Sequence, residues 1–146
     1  RSRGAATVAV VCNPESALGA IAHLAIVTDV GPEVVAGSSR MKAGTAQKMV
    51  LNMLSTGAMA RLGYVLDNLM VNVHLNNEKL AHRGLDIVVR ATGAAPGLAR
   101  QVLRQAGAVP VAIVMIAAGV GKAAATRALA VSHGNVRSAI NKAAGK

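Results

Sequence analysis

Apolar and polar positions alternate between two regimes along the chain, short β-branched runs in the first third and helical spacing afterwards. Ala6 to Val11 contains Thr7-Val8-Ala9-Val10-Val11, a run suited to a strand buried on both faces of a parallel sheet, and Leu24 to Val30 reads as its partner. Between them, Ser16 to His23 has helical residues behind Asn13-Pro14-Glu15, with Asn13 or Ser16 available to cap the first turn. A strand, a crossover helix and a second strand make a βαβ unit. Its right-handed connection puts ligands beyond the carboxyl ends of the strands, near Cys12 to Ser16 and Gly31 to Arg40.

From Lys42 to Leu62 the apolar residues Ala46, Met49, Val50, Met53, Leu54, Ala58 and Met59 recur at spacings of three and four, which predicts one long helix ended by Gly63. Tyr64 to Val73 has no dominant period and is left open between loop, short strand and helix. Asn76 is the expected N-cap of a further helix running through Leu80, Leu85, Ile87 and Val88 to Thr92, with Gly93 as its stop. Beyond it, Pro96 to Ala106, Pro110 to Ala118, Lys122 to Val131 and Asn135 to Ala144 read as short helices punctuated by glycine, a small bundle. The fold class is therefore α/β: a partial doubly wound parallel sheet followed by helices.

Composition narrows the core and the partners. Of the 146 residues 53% are hydrophobic, yet Phe and Trp are absent and Tyr64 is the sole aromatic, so the core is aliphatic. No apolar run reaches the length of about 20 residues that a bilayer demands, and Val109 to Val120 is broken by Pro110 and Gly119; no membrane segment is expected. The Arg1-Ser2-Arg3-Gly4 start leads into an apolar stretch too short for a signal peptide. Cys12, the single cysteine, excludes an internal disulfide and fits a cytoplasmic setting. The net charge of +10 comes from sixteen scattered basic residues, without a basic arm or stacking aromatics, so nucleic acid is not the expected partner and a small anion is. His23, His74, His82 and His133 lack metal-ligand spacing, and Gly119-Val120-Gly121-Lys122 lacks P-loop spacing, so neither metal nor cofactor is expected.

The chemistry concentrates in Gly31 to Lys48, GPEVVAGSSRMKAGTAQK. Gly37, Ser38 and Ser39 allow close approach to peptide N–H groups and supply hydroxyls, while Arg40, Lys42 and Lys48 add positive charge at the start of a helix, a combination suited to phosphate. Ser38 and Ser39 are equally placed to cap that helix. Lys42 is the expected substrate contact and Lys48 a solvated residue. Glu33, the stretch's one carboxylate, either caps or orders the turn after Gly31-Pro32 or serves as an acid/base group.

The same stretch, followed by MVLNMLSTGAMARLG, NLMVNV and NNEKL, resembles the N-acetylmuramic acid 6-phosphate etherase family and, more loosely, the glucokinase regulatory protein, both of the sugar isomerase (SIS) fold. The resemblance implies that residues 1–93 are the C-terminal part of a SIS domain. It implies that residues 94–146, through Ala124, Ala128-Leu129, Val131, Gly134-Asn135-Val136 and Ile140, form a ubiquitin-associated-like bundle, without implying ubiquitin binding. It further implies a phosphorylated amino sugar as partner, bound through Glu33, Gly37, Ser38, Ser39, Arg40 and Lys42, and a homodimer. The implied reaction cleaves the D-lactyl ether to give N-acetylglucosamine 6-phosphate and D-lactate. The family's catalytic glutamates have no counterparts among the six carboxylates here, so the isolated chain is expected to be inactive, its catalytic residues unassigned apart from a weak case for Glu33. The alternative is a non-catalytic sugar-phosphate regulator.

Overall fold

The structure, a computed structural model, describes residues 3–145 and divides into two compact units, one ending at Thr56 and the other beginning at Gly57. It is a mixed α/β chain with seven helices and a small parallel sheet among the described residues.

The first unit holds β1 (Val8–Val11), α1 (Ala17–Ile21), β2 (Leu24–Val27) and the first part of α2 (Lys42–Arg61). β1 and β2 pair in parallel, Val8 opposite Leu24 through Val11 opposite Val27. Both proposed capping residues act, at different places: Asn13 Oδ1 accepts from Glu15 N at 3.0 Å to order the turn, and Ser16 Oγ accepts from Gly19 N at 3.0 Å to start α1. At the opposite end Thr7 O accepts from His23 N and Leu24 N, and Thr7 N returns a bond to His23 Nδ1 at 2.9 Å. Only Ala9 and Val11 of the two strands are buried, whereas Val8 and Leu24 stay about half exposed, at 49% and 57%. Two strands and one short helix have too little surface to cover both faces of a sheet. The expected apolar stripe of α2 meets the same limit: the helix forms over the predicted span, but none of its residues is buried.

The second unit has a core of its own. Tyr64 to Val73, left open by the sequence, begins as a hairpin of β3 (Val65–Leu66) and β4 (Leu69–Met70). Asp67 turns it with φ +53, and its carboxylate pairs with the Arg137 guanidinium, tying the hairpin tip to α7 (Val136–Ala143). α3 (Glu78–Thr92) starts one residue later than expected, because Asn77 rather than Asn76 accepts from Leu80 N, at 2.8 Å. α4 (Pro96–Ala106), α5 (Val109–Ala118) and α6 (Lys122–Val131) follow, with proline in the first turn of α4 and α5, where a missing N–H costs nothing.

α5 is apolar all round because it is surrounded: it packs against α3, α4, α6 and α7, and Val109, Ala112, Ile113 and Val114 are fully buried. Two lysines close helix ends, Lys122 Nζ on Gln105 O at 3.1 Å and Lys142 Nζ on Val131 O at 3.2 Å, placing cations at the negative ends of α4 and α6. Among the described residues no single helix is long and apolar enough to cross a membrane. α5 and α6 satisfy length and composition only as a pair bent by 108°, and α5 is the core helix just described.

Gly63 sits where a side chain has no room: its φ is +83, and a Cβ there would lie 2.5 Å from Asn135 Cα. Gly97, in the first turn of α4, has nothing within 4 Å of the same position. In urea unfolding, Gly63→Ala should lower stability by about 1–3 kcal/mol. Gly97→Ala should raise it by about 0.4–1 kcal/mol. Equal midpoints for the two variants would contradict this packing.

Candidate functional site

The chain leaves the carboxyl end of β2 through Thr28 and Asp29, and it does not become regular again until Lys42. Thr28 anchors the exit: its N–H donates to Val11 O at 2.8 Å, and its hydroxyl lies 3.2 Å from Cys12 Sγ. Gly31 N then donates to Asp29 Oδ1 at 3.3 Å, and Gly31 adopts φ +66, reversing the chain.

Glu33 provides the main restraint. Its Oε2 accepts from Lys42 N at 3.0 Å and its Oε1 from Ala43 N at 3.1 Å, so one carboxylate takes two of the amides that the first turn of α2 leaves without an intrahelical partner. These bonds, Lys42 N–H foremost and Ala43 N–H next, hold the Glu33 carboxyl below its ordinary pKa, with a smaller contribution from the Lys42 ammonium and the Met41 amide. Lys42 reinforces the turn, its Nζ donating to Pro32 O at 3.0 Å. The turn-ordering reading of Glu33 thus has a specific geometry.

Ser38 and Ser39, expected as possible caps, do not cap α2. Their hydroxyls make no hydrogen bond to any described residue, while Ser38 N donates to Val35 O and Ser39 O accepts from Gly44 N. Gly37 has φ +81 and open space around it. Arg40 and Lys48 are exposed and form no ion pair among the described residues. The structure therefore brings Glu33 and Lys42 into one bonded corner and leaves Gly37, Ser38, Ser39 and Arg40 contiguous beside it.

Gln47 is a positioning residue that the pattern of the sequence did not suggest: its Nε2 donates to Val10 O at 3.3 Å, tying α2 to the end of β1. An amide in a helical stripe gives no sign of reaching a strand thirty-seven residues earlier. No group of three or more His, Cys, Asp or Glu able to hold a metal ion occurs among the described residues.

A parallel strand pair feeding a helix whose entrance holds a carboxylate defines an α/β protein with an anion-compatible corner. No family model matches the chain. An N-acetylmuramic acid 6-phosphate etherase of Symbiobacterium thermophilum is 60% identical over 121 residues, 82% of this chain and 40% of that protein. The etherase of Rhizobium rhizogenes is 49% identical over 97% of this chain and 46% of its own length, and an N-acetylmuramic acid 6-phosphate etherase 2 of Vibrio parahaemolyticus 50% identical over 97% and 47%. The chain is homologous to N-acetylmuramic acid 6-phosphate etherases, corresponds to a C-terminal part of them, and spans less than half of their length.

The Glu33 clasp has a pH signature. A carboxyl whose folded pKa lies below the unfolded one contributes stability above the unfolded value, and that contribution disappears as pH falls through the folded value. Proton shifts of the Lys42 and Ala43 amides should titrate together at a midpoint below the ordinary glutamate value, and Glu33→Gln should abolish that step. Amide shifts that stay flat through this range in the unaltered chain would contradict the clasp.

Proposed function

We propose that this chain is the sugar-phosphate-binding part of an N-acetylmuramic acid 6-phosphate etherase. The observation that carries the proposal is the 49–60% identity to proteins of that name across most of the chain. In this reading residues 1–93 belong to a SIS domain and 94–146 form its ubiquitin-associated-like bundle. The whole enzyme removes D-lactate from the sugar, with one proton taken from sugar C2, one given to the departing lactate oxygen and a water added to yield N-acetylglucosamine 6-phosphate.

The phosphate of that sugar sits beside Glu33 rather than in its place. Two like charges cannot share the Lys42 and Ala43 amides, so the phosphoryl oxygens take the Ser38 and Ser39 hydroxyls, the peptide edge at Gly37 and the Arg40 guanidinium, with the Lys42 ammonium as a further positive charge. Glu33 is a positioning residue here. Each of its oxygens accepts one helix amide and its proton affinity is depressed, the opposite of what a general acid needs near neutral pH. The acid and base are therefore sought outside this chain's loop, and the chain alone turns over no ether.

Dimerisation completes the reading, with a second copy covering the apolar residues of α2, of which Met49 and Met53 are 57% and 61% exposed. The free thiol Cys12 suits a reducing cytoplasm. Calorimetric titration of N-acetylglucosamine 6-phosphate should show saturable binding that Arg40→Ala weakens by about tenfold or more, the loss expected for one charged hydrogen bond. Affinity unchanged in Arg40→Ala, or lactate release by the isolated chain at the rate of an intact etherase, would contradict the assignment.

A further inference from the structure

The second unit contains a cavity of about 520 Å³, within the size range of small-ligand sites, that the phosphate corner does not use. Its polar lining comes from Tyr64 and from one extended segment after β4, which carries Asn72, His74 and Asn76 at alternate positions. The intervening Val71, Val73 and Leu75 pack into or against the core, which fixes the segment's register and leaves the polar residues on the exposed side. The segment is not a strand. Val71 N extends the hairpin by one bond to Tyr64 O at 2.9 Å, and Val73 N then turns back on Val71 O at 3.0 Å, which ends the ladder and leaves the residues that follow without a partner strand.

Three properties define what this cavity takes. First, the side chains of Tyr64, Asn72, His74 and Asn76 make no hydrogen bond to any described residue, so two carboxamides, an imidazole and a phenol are available together. Second, the lining includes no Lys, Arg, Asp or Glu, although the chain carries sixteen basic residues, so the site offers hydrogen bonds without a charge to match. Third, Tyr64, the one Phe, Tyr or Trp residue of the chain, stands at this wall, 37% exposed, beside apolar surface from Pro110 and Val111. A flat apolar surface with neutral donors and acceptors around it matches a ring whose faces are C–H and whose edge is hydroxyl or amide.

We infer that this cavity is a second binding site, for an uncharged hydroxyl- and amide-bearing ligand of sugar size. The inference rests on residues of the second unit alone and is independent of the phosphate reading. Its probe is N-acetylglucosamine, which has no phosphate, at concentrations up to tens of times the about millimolar affinity expected for a ligand of this size. In heteronuclear NMR of the full chain, saturable shifts are expected at Tyr64, Asn72, His74 and Asn76, while Ser38, Ser39 and Arg40 stay still. Inorganic phosphate should leave the Tyr64 and Asn72 signals unmoved. Asn72→Ala and His74→Ala, both at exposed positions, should each weaken binding by about fivefold with the thermal transition retained. Absence of saturable shifts at these four residues, equal response to phosphate, or unchanged affinity in both variants would overturn the inference.

Discussion

The hydrogen bonds from the Lys42 and Ala43 amides to the Glu33 carboxylate set the geometry of the loop. A helix start is electropositive and leaves N–H groups unpaired, so it accepts an anion from any source. Here the anion is internal, and it closes the loop between Glu33 and Lys42, nine positions apart, which has no regular structure of its own. Once the carboxylate is in place, the Lys42 ammonium reaches Pro32 O, and the serines are released from the capping role their sequence position suggests.

That constraint separates holding from binding. Glu33 does for α2 what a local cap does for most helices, from a greater distance, and the groups nearest the helix start are left available. The proposed phosphate contacts, the side chains of Ser38, Ser39 and Arg40, are therefore those that bond to no described residue, while Glu33 is held by the Lys42 and Ala43 amides and the Lys42 ammonium by Pro32 O. The two units also differ in how much they bury. The unit from Gly57 onward surrounds α5 with four helices, whereas the unit up to Thr56 buries Ala9 and Val11 and leaves α2 without a single buried residue.

The helices after Gly93 were legible almost to the residue: Pro96–Ala106 without change because its proline start and Gly107 stop are local backbone chemistry, and Lys122–Val131 without change because it lies between Gly121 and His133-Gly134. The hairpin was not, since strands of two residues carry no period and its turn uses Asp67 in a conformation usually left to glycine. Asn76 and Asn77 are chemically identical neighbours, and only the chain's path selects Asn77 as the cap. At the candidate site the residue types were legible and their partners were not. Capping signals are read within three residues, so a carboxylate nine positions upstream gave no pattern to read.

A crystal structure of the chain with N-acetylglucosamine 6-phosphate tests the separation of these roles most directly. The expected result is a phosphate contacting Ser38, Ser39 and Arg40 while the Glu33 carboxylate remains on the Lys42 and Ala43 amides. A phosphate seated on those two amides with Glu33 expelled, or a loop that leaves phosphate unbound while Glu33 stays in place, would contradict it.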